Sequence, residues 1–173
     1  YEELDKSLMK DEGVLKHETI NMAFPLRRVT ISEYENAVEK IDTFIKENRG
    51  RRVTFEENAK LYVYSGIVER YLLQQQINEF KEEIHFARFD DMAFTSNPFE
   101  LFLDYGNIIK ARSKAKQTFI IQLASGAAGY LPTEKAEKGG HYSAYVSSGT
   151  TGHIGGELYV NKALETINKM FND

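Results

Sequence analysis

Apolar positions along the chain change period several times, and each change marks an element. Leu4, Leu8 and Met9 stand at helical spacing, predicting a short helix over Tyr1 to Lys10 closed by Asp11-Glu12-Gly13. From Val14 to Val29 apolar and polar residues alternate loosely through Ile20, Met22 and Phe24, the pattern of a half-buried strand ending near Pro25. Thr30 followed by Glu33 is a capping-box pattern, and Tyr34, Ala37, Val38, Ile41, Phe44 and Ile45 behind it repeat at helical spacing. That helix is expected to run to about Asn48, with Gly50 as its stop. Thr54 and Glu57 repeat the start signal, and an apolar set from Ala59 through Ile67, Tyr71 and Leu72 to Phe80 marks a second long helix. The two helices are expected to form a hairpin near residues 31–81, joined by the basic turn Arg49-Gly50-Arg51-Arg52.

Beyond the hairpin the period shortens. Ile84, Phe86 and Arg88 share one parity and Met92 and Phe94 follow, so two strands are expected around a tight turn at Asp90-Asp91. Pro98 suits a first helical turn, and Phe99, Leu101, Phe102, Tyr105, Ile108 and Ile109 carry an apolar face to about Arg112. Gln117 to Leu123, with Thr118, Phe119, Ile120 and Ile121 contiguous, reads as a short buried strand. Its exit, Ala124-Ser125-Gly126-Ala127-Ala128-Gly129, is small enough for backbone or ligand to approach closely. A single helical turn is expected from Pro132 to Glu137, ended by Gly139-Gly140, then an extended piece at Tyr142 to Val146 and a flexible loop over Ser147 to Gly156. Glu157 to Phe171 is expected as a last helix with Leu158, Val160, Leu164, Ile167 and Phe171 inward. Helices and strands interleave without an internal repeat, so the fold class is α/β or mixed α+β, a mixed sheet flanked by helices.

Composition narrows the partners. A chain of 173 residues fits a single domain, 42% hydrophobic content with 12% aromatics supports a real core, and a net charge of -4 offers no case for nucleic acid or an anionic membrane. The basic stretch Lys110, Arg112, Lys114 and Lys116 falls at a helix end, where cations are favoured without any ligand. With no cysteine, neither a disulfide framework nor a thiolate zinc knot is possible, and no apolar run approaches the ~20 residues of a transmembrane segment.

Chemistry-bearing motifs are sparse. The histidines at 17, 85, 141 and 153 do not form the His-Glu-x-x-His spacing of a helical zinc site, and no nucleophile elbow, P-loop or dinucleotide fingerprint is present. His141 and His153 stand beside glycines. Gly152-His153-Ile154-Gly155-Gly156 lacks the preceding strand that a phosphate loop needs. Attention therefore falls on Asn97 to Tyr142. Glu100 is expected in a first helical turn, where the macrodipole favours a carboxylate with or without chemistry, at a junction where α/β sites gather. Tyr130 follows Gly129 on the exit of another strand, equally suited to packing with a satisfied hydroxyl.

Five landmarks stand in order along this region: Pro98-Phe99-Glu100, Ile109-Lys110-Ala111-Arg112-Ser113, Gly129-Tyr130-Leu131-Pro132-Thr133, Gly139-Gly140-His141-Tyr142, and the helix from Glu157. Together they resemble the neutral, non-lysosomal ceramidases and their bacterial relatives, and Pro25-Leu26-Arg27-Arg28 with the helix after Thr30 extends the likeness from about Ile20 to the C-terminus. The resemblance implies the C-terminal portion of a larger catalytic domain, hydrolysing the amide bond of an N-acylated small molecule or lipid in sphingolipid metabolism, in a secreted or periplasmic setting. It implies a zinc held by two histidines from the upstream part of the same polypeptide together with Glu100 and Tyr130, with Tyr130 also steadying the oxyanion. Phe99 departs from the family's glycine, and neither His17 nor His85 lies in a segment matching the family's histidine motifs. This chain alone then carries half a site, binding zinc weakly or not at all, and no zinc is expected in the isolated chain. The alternative is a non-catalytic binding or accessory domain that keeps the fold without the metal.

Overall fold

The computed structural model describes residues 12–172, so the helix expected over Tyr1 to Lys10 lies outside the described residues. The architecture is mixed α/β. Strands β1 (Leu15–Pro25), β2 (Glu79–Phe89), β3 (Met92–Ser96) and β5 (Gln117–Ile121) form a four-stranded sheet in the order β1-β2-β3-β5, and β4 (Glu100–Leu101) pairs separately with β6 (Tyr130–Leu131). Helices α1 (Ile31–Glu47) and α2 (Phe55–Leu73) separate the first two strands, α3 (Leu103–Arg112) precedes β5, and α4 (Glu134–Gly139) follows β6. Two 3₁₀ turns, Tyr142–Ala144 and Val146–Ser148, lead to α5 (His153–Met170).

Local chemistry explains most of these boundaries. Thr30 and Thr54 each close a full capping box with Glu33 and Glu57. β2 and β3 are joined by the two residues Asp90 and Asp91, with Asp90 at φ 53, a left-handed conformation that Asp tolerates. β3 and β5 run parallel, Met92 opposite Gln117 and Ser96 opposite Ile121, because α3 supplies the crossover that parallel pairing needs.

Alternation splits the sheet into two faces. Phe24, Ile84, Phe86 and Ala93 are fully buried beneath α5, joined by Phe99, Ile109, Leu131, Tyr159, Ala163 and Ile167. Each large side chain of this set contributes about 1.5–3 kcal/mol by leaving water. On the other face, among the described residues, Leu15, Phe89, Phe119 and Ile121 are exposed, and Phe94 stacks on Phe119 at 5.0 Å between ring centroids.

Several expectations change. The second helix stops at Leu73, and Phe80 belongs to β2, where it packs on Phe24 at 5.6 Å; Leu26 and Asn78 pair beside it and hold the chain extended. β5 is an edge strand with one exposed face rather than a buried one: Phe119 has only Phe94 stacked on it and Ile121 is half exposed among the described residues. The segment after Tyr142 coils into 3₁₀ turns instead of extending. The expected loop over 147–156 is ordered packing: Ser148, Thr151 and Gly152 are buried, and α5 begins at His153. There Gly156 lies against the Tyr105 ring so closely that an added Cβ would stand 2.2 Å from Cζ. Glycine at this point permits helix contact, not a break. Leu158 is exposed, and Tyr159 takes the inward position beside Val160, Ala163 and Ile167.

The helical hairpin stands largely on polar ties. Ala37 is its one buried hydrophobic residue among the described positions of the two helices. The Gln74 amide pairs with both the N–H and the carbonyl of Val29, at 2.8 and 2.7 Å. The Arg70 guanidinium donates to the carbonyls of Gly149 at 2.8 Å, Thr150 at 3.0 Å and Arg27 at 3.2 Å, and burial with Arg27 nearby lowers its pKa to about 10.

Candidate functional site

Asn97 sets the turn that leaves β3. It is fully buried; its Oδ1 accepts from the Phe99 N–H at 3.0 Å, its own N–H donates to Ile121 O at 2.9 Å, and its carbonyl accepts from Ala124 N at 3.0 Å. Its amide also reaches the Tyr159 hydroxyl, which donates to Ser96 O at 3.2 Å; burial pushes the Tyr159 phenol up to about 12. β3 and β5 end side by side, so their continuations leave from the same end of the sheet.

Those continuations pair again as β4 and β6. Ala128 N donates to Pro98 O at 2.8 Å, Glu100 N to Gly129 O at 3.0 Å, and Phe102 N to Leu131 O at 3.3 Å. Glu100 is therefore in a strand, not in the first turn of a helix, because these cross-chain bonds take the amides that a helix would use, and α3 begins only at Leu103. Alternation does the rest: Phe99, Leu101 and Leu131 point into the core, and Glu100 and Tyr130 point out together. Phe99 fills the core against Phe24 with ring centroids 5.0 Å apart.

The structure thus brings the two sequence-predicted residues together. Glu100 is directly opposite Tyr130, and its carboxylate, as an acceptor for the phenol and a nearby negative charge, raises the phenol's pKa above its ordinary value. The phenol consequently stays protonated and able to donate throughout the neutral range. Gly129, at φ 73, makes this possible: an added Cβ would stand 2.5 Å from Ser148 O.

Tyr130 packs edge-on against Tyr142, centroids 5.8 Å apart. Tyr142 in turn lines a groove of about 590 Å³ with Phe55, Ala59, Tyr62, Val63, His141 and Tyr145. The walls are mostly apolar and aromatic with a few polar tips, the composition common to small-molecule sites. His141 joins the site's surroundings; His153 does not.

Compared with known protein families, with curated proteins and with solved structures, the chain matches none. What the site can do therefore rests on its own geometry. Two oxygen donors of a kind that zinc accepts are adjacent, one carboxylate and one phenol. Among the described residues no group of three His, Cys, Asp or Glu side chains is arranged to hold a metal. No helix among the described residues is long and apolar enough to cross a membrane.

One cluster escaped sequence reasoning. Glu137 of α4 accepts from the His153 N–H at 2.7 Å through Oε1, faces His153 Nδ1 at 2.8 Å through Oε2, and lies 4.0 Å from Arg27. It caps α5 in place of the side chain that Gly152 lacks. The single hint was His153 at the foot of the last helix, and no spacing rule links it to Glu137.

Proposed function

We propose that Glu100 and Tyr130 belong to the site of an amide hydrolase of the neutral ceramidase type, completed by two histidines from upstream sequence of the same polypeptide. The observation that carries this reading is the register of β4 on β6, which sets a carboxylate and a protonated phenol on one face beside an apolar groove. Glu100 and Tyr130 would hold a zinc ion, which when bound supplies a Lewis acid and a water that ionises near neutral pH. Glu100, exposed at the strand surface, offers its carboxylate as the anionic ligand. Tyr130 keeps its proton and donates it in a hydrogen bond to the carbonyl oxygen of the scissile amide as negative charge develops there. The groove beyond Tyr142 receives the apolar part of an N-acylated substrate, small molecule or lipid, and keeps water from it.

Fluorogenic N-acyl amides offered to the polypeptide carrying this chain with its upstream sequence test the reading. Hydrolysis lost on chelation and restored by zinc is expected. Hydrolysis indifferent to both overturns it. One observation favours the non-catalytic alternative: among the described residues no group of three His, Cys, Asp or Glu side chains is arranged to hold a metal. Under that alternative the groove binds an apolar ligand and turns nothing over.

A further inference from the structure

On the open face of the sheet, far along the chain from Glu100 and Tyr130, two histidines are drawn together by strand register. Thr19 is directly opposite His85 in the β1–β2 ladder, and His17, two residues before Thr19, lies on the same face opposite the small Ala87. Glu83, two residues before His85, shares that face as well. The two imidazoles lie nearly parallel and end to end, 11° between planes and 5.4 Å between centroids.

Their donor atoms converge. His17 Nε2 is 3.1 Å from His85 Nδ1, Thr19 Oγ1 is 3.2 Å from His85 Nδ1, and Thr19 Oγ1 is 3.5 Å from His17 Nε2. A tetrahedral zinc with bonds of about 2.0–2.1 Å separates its ligands by about 3.3 Å. The triangle of two nitrogens and one hydroxyl oxygen has those edges within a few tenths of an ångström. Glu83 Oε1 stands 2.9 Å from His85 Nε2, on the side of the ring away from the triangle. A carboxylate there holds the proton on Nε2 and leaves the Nδ1 lone pair facing the other two donors, the arrangement that orients metal-binding imidazoles.

We propose that His17, His85 and Thr19 form a surface site for a divalent transition ion of zinc type, with Glu83 as the positioning residue and solvent in the fourth position. Nitrogen and neutral oxygen donors in a tetrahedral frame suit Zn²⁺ and not Ca²⁺ or Mg²⁺, which take mostly oxygen ligands in larger number. In the metal-free form His17 Nε2–H donates to His85 Nδ1. Binding moves the His17 proton to its own Nδ1 and frees both lone pairs, so neutral imidazoles need release no proton. The site does not depend on the Glu100–Tyr130 reading, and it makes His17 and His85 a local pair rather than substitutes for absent ligands of that site.

Titrating the 173-residue chain with Zn²⁺ by calorimetry, while following histidine ring ¹⁵N resonances, tests the assignment. Saturation at one Zn²⁺ per chain is expected, with shifts at His17 and His85 and none at His141 and His153. His85→Ala and His17→Ala, both at the exposed face and expected to leave the far-ultraviolet dichroism unchanged, should abolish that binding. Glu83→Ala should weaken it about ten-fold or more without changing the stoichiometry. The same titration with Mg²⁺ should give no shift. No saturable Zn²⁺ binding by the parent chain, equal affinity in His85→Ala, or ring shifts confined to His141 or His153 would each overturn the proposal.

Discussion

Glu100 and Tyr130 are directly opposite one another in a parallel pair only two residues long, so carboxylate and phenol share one face. A pair so short has little stability of its own. It is held by what flanks it: the buried Asn97 turn, the Gly129 and Pro98 carbonyls, and the inward side chains Phe99, Leu101 and Leu131.

The Tyr130 phenol titrates above the ordinary value of about 10, chiefly because Glu100 accepts its hydrogen bond and adds a negative charge. Since the folded-state pKa is raised, the stabilisation this contact gives is present below the unfolded-state value and is lost as pH rises through the folded one. Glu100→Gln should lower the Tyr130 midpoint. Ring ¹³C resonances of labelled tyrosine, followed through alkaline pH, would show it; an unchanged midpoint would mean the carboxylate is not the partner.

Gly129→Ala forces a side chain into a left-handed conformation at φ 73 and against the Ser148 carbonyl. The expected cost is about 1–3 kcal/mol in urea denaturation, with loss of the Tyr130 titration anomaly. A change of a few tenths would show that the backbone relaxes there at little cost.

Arg70→Ala removes the donor that ties three carbonyls of the 27 and 149–150 segments to the hairpin. Thr150 O keeps the Arg27 N–H at 3.1 Å, whereas Gly149 O and Arg27 O lose the guanidinium; at roughly 1–3 kcal/mol per half-buried carbonyl left unpaired, a loss of about 2 kcal/mol is expected. Hydrogen exchange should accelerate first in α2 and around Thr150. With Ala37 the lone buried hydrophobic residue of the two helices, apolar packing offers little to compensate.

Features set by neighbours in the chain were legible in the sequence. Both capping boxes, the Asp90-Asp91 turn and the end of β1 at Pro25 follow from residues within four positions of one another. Features set by partners distant in the chain were not. Two-residue strands carry no readable period, so β4 and β6 were invisible, and Glu100 was assigned to a helix whose first turn its backbone bonds forbid. The glycines before α5 suggested a loop because close helix contact with Tyr105 leaves no trace at Gly156 itself. For the site, Glu100 and Tyr130 were legible as residues, whereas their direct opposition needed the register. The His17–His85 pair needed it still more, since only the ladder brings positions 68 residues apart within 3.1 Å.

The most direct test is the zinc-restored hydrolysis of an N-acyl amide by the full polypeptide, compared among the parent, Glu100→Ala and Tyr130→Phe. Because Tyr130→Phe removes both a zinc-holding oxygen and a hydrogen-bond donor to the developing oxyanion, turnover should fall at least about 10²- to 10³-fold and zinc should be held more weakly. Glu100→Ala should lose the activity and the zinc of this site, leaving any zinc at His17 and His85 in place. Parent-like turnover in both variants would contradict the account.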